Sequence, residues 1–204
     1  MMLEQLLQET ARQHRHLCPR QVLGVRMGLM AGKTFQASFP QSDKRYVIIC
    51  ETDGCFTDGL SMVTNCTVGH RTLRIEDYGK IAATVIDTET ERALRFSPGK
   101  SIRKLAQEYA PPGSTKWQGY LLGYQQMSEE ELFVVQPVKL MTSIRSIVSM
   151  PGRKAMCVQC GEEIMNDRHI MNNGYSYCKP CFSGGYYEPI AIAGEALAPM
   201  QLSM

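Results

Sequence analysis

The residues with the most chemical potential lie in two short stretches of the N-terminal half. The first is His14-Arg15-His16-Leu17-Cys18-Pro19, where two imidazoles and a thiol fall within five residues. All three side-chain types ligate metals. Side chains two residues apart diverge on a helix, so His14 and His16 can share a direction only where the helix breaks. Pro19 supplies the break, because a residue preceding proline is pushed out of the helical region. Cys18 then becomes the N-cap of a following helix, where the dipole favours thiolate and lowers its pKa. The second stretch is Asp53-Gly54-Cys55, in which Asp53 is expected to cap a helix over 54–64 with Cys55 in its first turn. His14, His16, Cys18 and Cys55 therefore read as one site that holds a metal or acts through its thiols. Asp53 and Asp58 are the carboxylates that could orient a histidine or relay a proton. A plainer reading stands beside it, in which the histidines are surface groups and the cysteines small buried hydrophobes. That plainer reading is adopted for Cys50, Cys66, His70 and His169.

A separate cluster lies near the C-terminus. Cys157-Val158-Gln159-Cys160 and Cys178-Lys179-Pro180-Cys181 are two C-x2-C pairs with 17 residues between them. That spacing suits one tetrahedral four-thiolate ion, each pair supplying two sulphurs from a tight turn. Gly161 follows the first pair and allows the sharp backbone turn of a knuckle. Asn172-Asn173-Gly174 marks a hairpin between the pairs. Structural zinc is the expected occupant, in a zinc-ribbon or treble-clef layout, with an iron site or a redox dithiol pair as the alternative. Four thiolates leave no open position, so this site is read as structural and not catalytic. Residues 151–185 carry no basic stripe, which argues against nucleic acid and for a protein partner or a lid on the main domain.

The elements that position these residues follow from periodicity. Leu3, Leu6 and Leu7 predict a helix over 3–13, and Pro19 opens a second helix running to about Ala31. Gly24, Gly28 and Gly32 recur at four-residue steps on that helix, which predicts a smooth face against another element. Tyr46 to Cys50 reads as a buried strand, and Ile81–Asp87, Arg92–Ser97 and Leu132–Leu140 read as strands. Leu73–Gly79 is ambiguous. Ser101–Tyr109 reads as a helix, and the stretch 114–127, with Trp117, Tyr120 and Tyr124, is expected to pack on the core. Ser128-Glu129-Glu130-Glu131 forms a capping box. Strands and helices mix without strict alternation, so the fold class is α+β, with a boundary near Ser149–Lys154.

Composition limits the function classes. Of 204 residues 44% are hydrophobic and 21% charged, with a formal net charge of +2. This excludes an acidic disordered chain and a strongly basic nucleic-acid wrapper. No apolar run is long enough to span a membrane. The N-terminus lacks a secretory pattern, and eight cysteines without a secretory signal fit a reducing, cytoplasmic setting.

Three ordered motifs give a family resemblance. His14-Arg15-His16-Leu17-Cys18-Pro19-Arg20, Glu51-Thr52-Asp53-Gly54-Cys55-Phe56-Thr57-Asp58 running on to Asn65-Cys66-Thr67-Val68-Gly69, and Asp77-Tyr78-Gly79-Lys80-Ile81-Ala82-Ala83-Thr84 resemble the FmdE family of formylmethanofuran dehydrogenase components over roughly residues 10–150. Arg15 and Arg20 stand where the family motif has glycine. The resemblance implies an α+β core domain followed by a small treble-clef-like zinc finger, a homodimer, and a core cleft built from the His-x-His-x-Cys stretch and Cys55. It also implies a link to a molybdenum enzyme of methanogenesis, as an oxidoreductase or an accessory component of one. The expected organisation is a core domain over 1–150 and a zinc finger with tail over 151–204. The expected cofactors are structural zinc on Cys157, Cys160, Cys178 and Cys181, and a second metal of unspecified identity in the core. The competing function is a non-catalytic module whose finger docks on a partner protein. Arg15, Arg20 and Arg26 are read either as a binding patch for an acidic substrate or as surface residues.

Overall fold

The computed structural model describes residues 2–148 and 150–188. Ser149 and the tail from 189 to 204, part of the expected finger domain, lie outside the described residues. By compactness the chain separates into two units, Met1–Val148 and Ser149–Met204.

The first unit opens with two helices, α1 (Leu3–His14) and α2 (Pro19–Phe35). α2 continues past Ala31 because Ala31 and Phe35 both face the core, and Gln36 in the left-handed region stops it. β1 (Tyr46–Cys50) leads into α3 (Cys55–Thr64), then β2 (Leu73–Ile75), β3 (Ala83–Asp87) and β4 (Ala93–Pro98). α4 (Ile102–Glu108), α5 (Lys116–Gln126) and the single-turn α6 (Glu129–Leu132) precede β5 (Phe133–Pro137) and α7 (Ile144–Ile147). The strands form one sheet in the order β2-β1-β3-β4-β5. β1 and β2 are parallel, and all other neighbours are antiparallel.

Alternation along β1 assigns the two faces of the sheet. Ile48 and Cys50 join the main core with Leu6, Val22, Met27, Phe56, Leu60 and Phe96. Val47 and Ile49 point the other way, to Ile86, Ala93, Ile144 and Ile147. The helices cover the first face, while the return segment holding Val138, Leu140 and α7 covers the second. Pro137 ends β5 three residues earlier than the periodicity predicts, and the apolar residues beyond it pack onto the sheet instead of joining it. Trp117 is half exposed on α5, contrary to the expected core packing; Tyr124 and the backbone at Gly123 make that contact.

The helix pair α2–α3 crosses at backbone distance. A Cβ on Gly24 would overlap the Phe56 carbonyl, and one on Gly59 would overlap the Gln21 carbonyl. The smooth face expected of α2 thus has a reciprocal glycine on α3, and this close crossing fixes the start of α2 against the start of α3.

The second unit is built from two short hairpins and a turn of helix. β6 (Lys154–Met156) pairs with β7 (Glu163–Met165), and β8 (Ile170–Asn172) pairs with β9 (Tyr175–Tyr177). Asn173 and Gly174 both have positive φ, 48° and 81°, as a two-residue type I′ hairpin requires. α8 (Lys179–Ser183) follows directly. Among the described residues of this unit only Cys157 and Ile164 are buried.

Candidate functional site

The N-terminal constellation depends on how α1 ends. Arg15 takes the left-handed conformation (φ 62°, ψ 2°) and closes the helix at His14. The turn returns His16 to the same side, so the two imidazole centroids lie 6.4 Å apart at 80°. The chain then extends through Cys18 (φ −123°, ψ 158°), which caps α2 with Pro19 as its first residue. The Cys18 amide donates to Gln21 Oε1 at 2.7 Å, and the buried Gln21 amide nitrogen reaches back to the Thr10 carbonyl at 3.4 Å. Gln21 therefore ties the cysteine to both helices. The Cys18-x-x-Gln21 spacing is a capping-box signal that could have identified it.

Cys55 arrives from the other side. It is the first residue of α3, and the N-cap is Gly54 rather than the expected Asp53. The chain turns from β1 into α3 through φ 75°, ψ −153°, a region essentially reserved for glycine, so the cap moves one residue along. Asp53 is left exposed. With α2 and α3 in close contact, the Cys18 thiol comes near enough to act on the Cys55 thiol.

Burial, and then the hydrogen bond and charge of Cys18, raise the Cys55 thiol above its ordinary pKa. A place in the first helical turn favours thiolate, yet the net direction at Cys55 is upward. Desolvation and a neighbouring sulphur outweigh the helix dipole there.

Asp58, one turn beyond Cys55 on α3, holds His14. The His14 Nε2 to Asp58 Oδ2 distance is 2.7 Å, with both side chains partly exposed. The other ring nitrogen is left for a second partner. The structure thus shows His14 paired with Asp58 and beside His16, and Cys18 near Cys55. Among the described residues these side chains do not form a group of three or more ligands that could hold a metal ion.

Arg26 does not belong to an anion-binding patch. Its guanidinium is buried and donates to the carbonyls of Tyr124 (2.9 Å), Gln125 (3.0 Å) and Met127 (2.7 Å). It therefore caps the C-terminal end of α5, where a cation also meets the negative end of the dipole. Arg15 and Arg20 are exposed.

Cys157, Cys160, Cys178 and Cys181 converge until all four sulphurs lie within 4.8 Å of one another, a group that could hold a metal ion. Gly161 (φ 72°) makes the knuckle turn, and the Cys178 amide donates to Cys157 Sγ at 3.3 Å. Burial pushes the Cys157 thiol up, but amide donors from the turns of Cys160, Cys178 and Gln159 more than offset it, leaving its pKa at about 6. The hydrogen bond with Cys178, and then burial, push Cys181 upward. The site thus already favours at least one thiolate, the form that ligates metal.

Two other cysteines follow the plain reading. Cys50 and Cys66 are buried, and burial raises both thiols to about 11.

Comparison with known proteins places this architecture. A probable S-adenosyl-L-methionine-binding protein of Archaeoglobus fulgidus is 27% identical over 217 aligned positions, covering 96% of this chain and 56% of the relative. The chain thus spans about half the length of that relative. An FmdE-like protein of the tungsten formylmethanofuran dehydrogenase type, from Syntrophus aciditrophicus, has a solved structure that matches with a TM-score of 0.58 at 20% identity. That match covers 91% of this chain and 95% of the other, and it is a likeness of fold. The family described as FmdE, molybdenum formylmethanofuran dehydrogenase operon, matches residues 13–134, a span that begins just before His14 and includes Cys18, Cys55 and Asp58. More than half of the sequence is matched, and the chain belongs to the FmdE family.

Proposed function

We propose that the first unit is a metal-binding domain whose working site is the Cys18–Cys55 thiol pair, with His14 and His16 as the neighbouring nitrogen donors. The observation that carries this reading is the approach of Cys55, at the start of α3, to Cys18, at the start of α2, across the close helix crossing. Two sulphurs and two imidazoles form a donor set suited to a soft or borderline cation. The His14–Asp58 pair supports it, because a metal-ligating histidine commonly gives its second ring nitrogen to a carboxylate. When bound, an ion there would act as a Lewis acid or hold a soft sulphur ligand. Asp58 would fix the ring orientation of His14, and Gln21 would fix the backbone of Cys18.

A dithiol–disulfide couple is the second reading. It is favoured by the ligand grouping: among the described residues Cys18, Cys55, His14 and His16 form no group of three or more that could hold a metal ion. Disulfide formation would release two protons and pass two electrons to an external disulfide, leaving that partner as two thiols.

The four-cysteine group fits structural zinc. The knuckle, the hairpin and the following helix make a treble-clef-like finger with four thiolates and no open coordination position. With two buried residues among those described, this unit has too little apolar core to stand without the ion. The finger is the surface we assign to a protein partner, and the core the part that forms a homodimer in the cytoplasm.

The deciding experiment is metal analysis of anaerobically purified protein and of Cys18→Ala and Cys55→Ala variants. Two ions per chain, one of them lost in either variant, support the metal site. One ion per chain with a Cys18–Cys55 disulfide that forms in a glutathione buffer would replace it with the redox reading.

A further inference from the structure

A cavity of about 200 Å³ lies at the end of α3 remote from Cys55, lined by Gln41, Ser42, Lys44, Asn65, His70 and Thr72. The ten-residue helix puts roughly 15 Å between it and the thiol pair, so it is a separate place on the molecule. The rim residues Ser42, Lys44, Asn65 and His70 are exposed and each carries a hydrogen-bond donor, and none of the lining residues is a carboxylate.

The floor is rigid. Gln41 and Thr72 are buried. Gln41 Oε1 accepts from the Tyr46 amide at 2.8 Å, while its Nε2 donates to the Tyr46 carbonyl at 2.7 Å and to Cys66 Sγ at 2.9 Å. Asn65 Nδ2 donates to the Gln41 carbonyl at 2.8 Å, joining floor to rim.

One rim residue, Lys44 (φ 63°), holds a costly left-handed backbone, while Asn65 (φ 57°) is the ordinary left-handed cap of α3. Strain of this kind collects where side chains must be aimed. The neighbouring carboxylate, Asp43, is engaged by the Arg45 amide at 3.1 Å and does not line the cavity. The C-terminal end of α3 would repel an anion, but several of its carbonyls are already occupied. Leu60 accepts from Thr64 Oγ1 (2.9 Å), Ser61 from the Asn65 amide (2.8 Å) and Thr64 from the Gln41 amide (3.1 Å).

We propose that this cavity binds a small oxyanion, a carboxylate or phosphate group, with Lys44 as the charge partner and Ser42, His70 and Asn65 as hydrogen-bond donors. An ammonium supplies a compact charge and rotatable donors that suit either group. The site is independent of the metal or thiol reading of Cys18 and Cys55.

The test is an amide-resolved NMR titration of the full chain with inorganic phosphate and, separately, with succinate. Saturable shifts confined to residues 41–46 and 65–72 are expected with at least one of the two, and which of them binds distinguishes phosphate from carboxylate. Binding should weaken at least tenfold in Lys44→Gly and persist in Lys44→Arg. The glycine variant relaxes the left-handed backbone, so loss of binding there would not reflect unfolding. Lys104→Ala on α4 should bind as the parent does. Shifts scattered over distant lysines, unchanged binding in Lys44→Gly, or no saturable shift with either anion at millimolar concentration would overturn the proposal.

Discussion

Arg15 shows how one backbone conformation shapes a site. It occupies the left-handed C-cap that lets His14 and His16 lie together, at a position where glycine is the usual and unstrained choice. Arg15→Gly should therefore raise stability by about 1 kcal/mol, read as a higher thermal midpoint, while leaving the His14–Asp58 pair in place. A lowered midpoint would mean that the arginine makes contacts outweighing its strain. The cysteines divide by reactivity. With Cys50 and Cys66 raised to about 11 by burial, iodoacetamide at pH 8 should leave both unmodified in the folded protein and label them after denaturation. Labelling of either in the native state would contradict their placement. Asp87 sets an acid limit on the same sheet. Hydrogen bonds from Arg45 at 3.0 and 2.7 Å hold its carboxyl well below the usual range. A depressed folded-state value gives stability that is complete above the unfolded value of about 4 and is lost as pH falls through the lower folded value. Denaturation measured between pH 5 and pH 2 should show a steeper loss for the parent than for Asp87→Asn. Equal slopes would remove the Arg45–Asp87 pair from the account.

At the scale of elements, the site exists because α2 and α3 approach at their backbones. Gly24 and Gly59 each face a carbonyl of the opposite helix, so an added methyl has nowhere to go. Gly59→Ala should cost about 2–3 kcal/mol in chemical denaturation and loosen the register between Cys18 and Cys55. A neutral substitution would mean that the crossing is wider than described. Much of this level was readable in the sequence. Pro19 announced the break before α2 and the capping role of Cys18, and the glycine steps in α2 announced a close neighbour. What escaped notice had physical reasons. Asp53 looks like a cap, but a turn that only Gly54 can make moved the helix start. Val138 and Leu140 carry the apolar signature of a strand, and that signature is the same for a chain segment lying on a sheet. Gly59 is a single glycine, and its partner becomes visible only when two helices far apart in sequence cross. Arg26 resembled a binding cation because the α5 carbonyls it caps lie about a hundred residues further along.

For the whole molecule, the two units rest on different physics. The first has an apolar cluster on each face of its sheet, whereas the second has almost none among its described residues. The four-cysteine spacing made the second unit's site legible at once, because a single ion dictates the positions of all four ligands. The thiol pair in the first unit was legible as a set of residue types, but its pairing of Cys18 with Cys55 and His14 with Asp58 depends on the tertiary crossing. A strong chelator should accordingly abolish the native amide resonances of 150–188 and leave those of 2–148 dispersed, as should Cys157→Ala. Persistence of the finger resonances after the metal is removed would contradict a metal-held fold. A second, separate metal site in the first unit would show in the metal content per chain of anaerobically purified protein. Two ions per chain are expected, falling to one in Cys18→Ala or Cys55→Ala with the finger intact. One ion per chain in the parent, unchanged in both variants, would contradict that second site.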